Sequence, residues 1–367
     1  MESDITKPTR RSGPELLRVV AMLLIVFHHF AVHGGFAFAP DSLSPNRLWL
    51  QFIEMGGKVG VNAFILISGY FSVSSRGVRV GKLLRLWLQM FFYSVLLFAI
   101  FAIAGKTALS WETVRNALFP VIWEEWWFAS AYLVLCLFSP FFNLLARQLS
   151  RNAYRCLLGL SLTLWCLIPT FFQMPMQFSA LAWFATLYFT AGYFRLHVPT
   201  EKIRSSVCLG AACGLAALHY LFVVARDAYV HFHPTSTVFP TEFYAMQTLP
   251  TFLISLLLFL GFLTAKIPQN RAINFAASAM FGVYLIHDHP SVRAFLWTDL
   301  FRNASYAESP ALIPYSLGVC LAVFAVCGAA ELLRIYGLEI HYRKAVARFA
   351  AFLEAKIPWL ANPAGEA

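Results

Sequence analysis

Glu15-Leu16-Leu17-Arg18-Val19-Val20-Ala21-Met22-Leu23-Leu24-Ile25-Val26-Phe27-His28-His29-Phe30-Ala31-Val32-His33 decides the fold of this chain. The stretch from Pro14 to His33 has the length of one membrane-crossing helix, which needs about 20 apolar residues. Further apolar runs recur at 55–73, 83–104, 126–146, 154–173, 178–195, 205–225, 248–265, 272–288 and 311–333. The composition agrees: 59% of the 367 residues are hydrophobic and 13% charged, against roughly 25% charged in a soluble domain. A soluble chain this apolar could not cover its own surface. The expectation is an all-α, polytopic membrane protein with about ten transmembrane helices. Residues 1–13 form an N-terminal tail, 14–333 the membrane domain, and 334–367 a C-terminal segment. That last segment alternates basic and apolar residues (Arg343, Lys344, Arg348, Phe349, Phe352, Leu353 and Lys356 among them), as an amphipathic surface helix does.

The net charge of +10 does not point to nucleic acid, because the charges fall in short loops between apolar runs. With the N-terminus inside, 20 of the 28 Lys and Arg lie in inner segments, 7 in outer loops, and Arg18 within the first helix. Every inner loop is basic, which is the pattern that orients membrane proteins. It places both termini of a multi-pass cell-membrane protein in the cytoplasm. The first run has no small-residue cleavage pattern, so it reads as a spanning helix and not as a cleaved signal. The seven cysteines lie in or at the ends of apolar segments without a C-x-x-C spacing, as buried small apolar residues do.

Charged and imidazole groups inside a spanning helix are functional candidates by default. Arg18 and His29 are 11 residues apart, which is about three turns plus 20°, so they share a face roughly 16 Å apart along the axis. His33, one turn on, continues that face, whereas His28 is turned about 100° away. His29 and His33 also have metal-ligand spacing, but no carboxylate or cysteine shares their helix face, so no metal is expected. The second helix ends with Ser68-Gly69, a small pair that suits either tight helix packing or a ligand's approach. Lys82 and Arg85 open the third helix on one side, as groups for phosphate or for anionic lipid. On the outer side, Glu125, Trp127 and Tyr132 read either as an aromatic belt or as a carbohydrate mouth. Tyr284 and His287 share a face at the end of the ninth helix.

In this order the residues resemble the membrane acyltransferase 3 family, in particular its members that modify polysaccharides. The resemblance rests on Glu15-Leu16-Leu17-Arg18 with His29, Gly60-Val61-Asn62 through Ser68-Gly69-Tyr70-Phe71, Lys82-x-x-Arg85, Trp127-Phe128 with Tyr132, and Phe281 through His287. The family usually has Arg where Lys82 stands, so the charge is kept and the bidentate fork is lost. The resemblance implies a ten-helix core and essential Arg18 and His29. It implies acyl-CoA, most often acetyl-CoA, as co-substrate, with no permanently bound cofactor, and a glycan or lipid-linked saccharide as acceptor.

On that basis Arg18, Ser68, Lys82 and Arg85 are assigned to the donor and His29 to general base, with Arg18 also essential to catalysis. His33, Glu125, Trp127, Tyr132, Tyr284 and His287 are assigned to the acceptor. The partners expected are acyl-CoA, the saccharide and membrane lipid, and no nucleic acid. The expected reaction moves an acetyl or other acyl group from cytoplasmic acyl-CoA to a hydroxyl of an extracytoplasmic or lipid-linked polysaccharide unit. A transporter or flippase for a glycan is the alternative that the same polar interior would serve.

Overall fold

The computed structural model describes residues 11–75, 77, 79–174 and 178–357. Lys7, Arg10 and Arg76, which count toward the basic inner segments, lie outside the described residues. So do most of the N-terminal tail (residues 1–10) and the end of the C-terminal segment (358–367). The described residues are helical and contain no strand. In chain order the helices are α1 (Ser12–His33), α2 (Pro45–Glu54), α3 (Gly56–Ser72), α4 (Val80–Ile103), α5 (Trp111–Leu118), α6 (Trp127–Gln148), α7 (Arg151–Leu162) and α8 (Ile168–Phe172). They continue with α9 (Ala180–His197), α10 (Ser205–Phe232), α11 (Leu249–Thr264), α12 (Arg271–Ser278), α13 (Met280–His287), α14 (Pro290–Ala294), α15 (Leu312–Leu333) and α16 (Ile340–Lys356).

Eight helical runs among the described residues are long and apolar enough to cross a membrane. The stretches expected to form the two other spans are helical but are not among these eight. The sixth is α9, with 18 residues. The ninth is divided at Ala279 into α12 and α13, each of 8 residues. The boundary expected after residue 333 falls inside a continuous helical run, Leu312–Lys356. All seven cysteines are free, and Cys156 and Cys213 are exposed while four others are buried.

α1 is the central post. α3, α11, α12, α13 and α15 pack around it. Glycine lets α3 approach closely: a Cβ on Gly60 would come 2.6 Å from the carbonyl oxygen of Ala21. At the start of α1, Arg11 donates to the carbonyl of Leu263 at 2.9 Å, which ties the N-terminal end of α1 to the C-terminal end of α11. The loop after α3 is held from α6, where the Asn143 side chain donates to the carbonyls of Ser72 (2.9 Å) and Ser75 (3.0 Å) and accepts from Tyr188 (2.6 Å). A buried amide with all these partners satisfied fixes the loop rigidly. It therefore sets where α4 begins, and with it Lys82 and Arg85.

Candidate active site

Two cavities lie along α1. The larger, about 610 Å³, opens at the end where α1 and α4 begin and α3 and α15 finish. Arg18 and Glu15 of α1, Ser68 of α3, and Lys82 and Arg85 of α4 line it, as do Arg79, Arg334 and Arg343. Arg18 is bound to Glu15 one turn back, at 3.0 and 3.1 Å to its two carboxylate oxygens. Its guanidinium is thereby held at the cavity and does not run free to the interface. Ser68 Oγ shares a hydrogen bond of 3.1 Å with Tyr132 of α6.

Glu331 enters the same space from α15. It packs over Gly282 of α13, where any Cβ would collide with the carboxylate, and it accepts from Gln89 (3.0 Å) and Tyr93 (2.6 Å) of α4. This gives Gly282, in the Phe281–His287 stretch, a packing reason.

The second cavity is small, about 20 Å³, and lies in the other half of α1. Its walls include His28 and His29 of α1, Gly57, Lys58 and Val61 of α3, Trp127 and Phe128 of α6, and Tyr284 of α13. Phe128 lines both cavities. Its ring stacks on Tyr132 (6.0 Å, 5°) and meets Tyr284 edge-on (5.5 Å).

The histidines are ordered by a chain of hydrogen bonds. His287 Nδ1 lies 2.6 Å from the Val283 carbonyl, so that nitrogen must carry the proton. In a neutral ring Nε2 is then an acceptor. His29 Nδ1 lies 2.9 Å from His287 Nε2 and must be the donor, so in a neutral His29 ring Nε2 is unprotonated. Beside this pair, Asp288 Oδ1 is 3.5 Å from His29 Nδ1 and 3.3 Å from Arg293. His33 is one turn on, its ring 5.2 Å from that of His29. His28 donates from Nδ1 to the Glu54 carbonyl at 2.8 Å, which ties α1 to the junction of α2 and α3.

Not every assigned residue falls in the company expected of it. Arg18, Ser68, Lys82 and Arg85 share one cavity, as the helix directions imply. Tyr132 joins them there and not the His33 end. Trp127 and Tyr284 line the small cavity with His29. Glu125 lies apart from it, with its Oε1 3.4 Å from His289 Nε2. Burial raises the carboxyl of Glu125, and burial followed by the Arg293 charge lowers His289 to about 4. At neutral pH His289 is therefore an uncharged ring.

Several site residues escape a reading by sequence. Lys58 counts as an outer-loop charge there, but it sits within α3 over the Trp127 ring, 4.9 Å from its centroid. Asp288, His289 and Arg293 follow directly on His287, and the run His287-Asp288-His289 was the available signal. Donor atoms of His29, His33 and Asp288 lie within 4.8 Å of one another. A carboxylate thus does reach the two histidines, brought by a different helix, although Arg293 already shares it.

Fold and site together define a helical membrane protein in which a cation-lined cavity leads toward a hydrogen-bonded histidine pair. A family model described as an acyltransferase domain matches residues 11–332, and the chain belongs to this acyltransferase 3 family. Among curated proteins and among solved structures, none matches the chain.

Proposed function

We propose that this membrane acyltransferase moves an acetyl group from cytoplasmic acyl-CoA to a hydroxyl of an extracytoplasmic or lipid-linked polysaccharide unit. The observation that carries the reading is that a large basic cavity and the small histidine cavity share one wall, Phe128. A donor held by its phosphates at Arg18, Lys82 and Arg85 has its thioester arm directed along α1. The separation of Arg18 and His29 along that helix, about 16 Å, suits the pantetheine arm of CoA. The cytoplasmic side is then the side of the N-terminus, in keeping with the basic loops.

In this mechanism His29 Nε2 takes the proton of the acceptor hydroxyl as its oxygen attacks the thioester carbonyl. The tetrahedral oxyanion forms beside Lys58, a cation on the wall of the same cavity. Collapse breaks the carbon–sulfur bond. The thiolate leaves with the proton that His29 had taken, so the imidazole is neutral again. A covalent acetyl-imidazole on His29 is the two-step variant.

His287 holds the His29 tautomer. Ser68 and Tyr132 line the passage of the arm, and His33, Trp127 and Tyr284, with Glu125 further out, serve the saccharide. Proton transfer and charge stabilisation by these side chains suffice for thioester chemistry, so turnover should survive a chelator. The test is release of CoA on incubation with acetyl-CoA, together with an acetyl mass increment on the host's surface glycan that is lost when the protein is deleted. A carrier without bond chemistry would release no CoA and leave the glycan unchanged.

A further inference from the structure

The family-matched region ends at residue 332, yet the wall of the large cavity does not. Arg334, Glu339 and Arg343 line it from the segment that follows. We infer that this C-terminal segment is part of the donor site, with Arg343 and Arg79, which both line the cavity, holding the phosphates of the donor's nucleotide end. The inference rests on reading the cavity as the acyl-CoA site.

The segment is built to reach the cavity. α15 passes into α16 through a π-helical turn, Arg334–Glu339, a distortion that is frequent at functional sites. Arg334 is 5% exposed, and its guanidinium donates to Glu331 (2.9 and 2.8 Å), Glu339 (3.0 Å) and the Tyr342 hydroxyl (2.8 Å). It holds the turn in shape, and four of its five N–H donors are already used. α16 is then fixed to the first turns of α4, where Ala350 and Leu353 pack on Val80, Leu83 and Leu84. That stretch of α4 also carries Lys82 and, a turn further on, Arg85.

The charges around the cavity are unevenly matched. Glu15 is taken by Arg18, and Glu331 and Glu339 by Arg334. Arg79, Lys82, Arg85 and Arg343 have no carboxylate partner among the described residues, and all four face one cavity of about 610 Å³. Four unmatched cations around one space repel each other until an anion of several charges joins them. Guanidinium forks bind phosphate oxygens bidentately, and phosphate brings more than one charge per group. A nucleotide carrying a pyrophosphate and a further phosphate supplies that charge in one molecule. Anionic lipid headgroups offer the same chemistry, and the experiment separates the two.

The full chain is placed in bilayers of neutral lipid, and equilibrium binding of CoA and of pantetheine is measured for the wild type, Arg343→Gln, Arg79→Gln and, as a neighbouring control, Lys344→Gln. CoA binding should weaken about tenfold for each of the first two, the scale of one charged hydrogen bond. Binding of pantetheine, which has no nucleotide, should not change, and Lys344→Gln should match the wild type. Equal losses for CoA and pantetheine would mean damage to the fold and overturn the inference. So would unchanged CoA binding, or a loss that appears only when anionic lipid is added. Absence of CoA binding by the wild type would overturn it as well. CoA binding without acetyl transfer would leave it standing and sink the proposed reaction instead.

Discussion

His29 Nδ1 lies 2.9 Å from His287 Nε2, and the Val283 carbonyl fixes the proton on the other nitrogen of His287. Two helices far apart in sequence thus determine which nitrogen of His29 is free to act as a base. His29→Ala should lower transfer by roughly 10²–10⁴-fold, as loss of a general base does. His287→Leu, which cannot accept the bond, should lower turnover without changing the apparent acceptor constant, and His287→Gln, which can accept, should recover part of it. His28→Ala breaks only the tie to Glu54 and should cost stability more than rate. Each variant must first reach the membrane in normal amount. Near-normal acetylation by His29→Ala would remove this site from consideration.

Phe128 separates the two cavities, and the space beside His29 holds little more than one small group at about 20 Å³. If the acyl group is seated here, as proposed, its size is what this space selects. Phe128→Leu should raise the ratio of butyryl to acetyl transfer several-fold by enlarging the space next to the reacting carbonyl. An unchanged ratio, measured with the two thioesters in competition, would show that Phe128 does not bound the acyl site.

Lys82→Ala and Arg85→Ala should each raise the apparent constant for acetyl-CoA while turnover at saturation changes little. Their cavity wall is distant from His29, so they act alike on ground state and transition state. A large fall in saturated turnover with no change in the donor constant would count against a phosphate clamp.

The N-terminal end of α1 and the loop before α4 should face the cytoplasm. Single cysteines at Ser74 and at Glu112, both exposed, can be labelled in intact cells with an impermeant reagent, in a background where Cys156 and Cys213 are replaced by alanine. Labelling at residue 112 and not at 74 is expected. The opposite result would invert the sides of donor and acceptor.

Buried His289 should make the folded state sensitive to acid. Its pKa is lowered to about 4 from about 6.5 in an unfolded chain, so the unfolded state binds the proton more readily between those values. The resulting stability is complete above about pH 6.5 and is lost as the pH falls toward 4. Its full size is of order 3 kcal/mol. His289→Gln should flatten the fall in thermal stability between pH 6.5 and 4 relative to the wild type. Parallel curves for the two proteins would exclude His289 as a source of acid sensitivity.

The sequence alone determined the class of the fold and the faces of α1. Apolar length and the basic loops depend on local composition, and the shared face of Arg18 and His29 depends only on the turn of a helix. That Arg18, Ser68 and Lys82 share one cavity follows from the same logic, since successive helices run in opposite directions and return Ser68 and Lys82 to the level of Arg18. Local pattern could not supply what crosses between helices. The His29–His287 bond spans 258 positions, and Asp288 reaches His29 only because α13 packs beside α1. Lys58 and Arg293 look like ordinary loop charges until Trp127 and Asp288 are seen against them. The tertiary structure also turned Tyr132 toward Ser68 and brought Arg343 to the large cavity, because a side chain's partners are set by how whole helices pack and not by its neighbours along the chain.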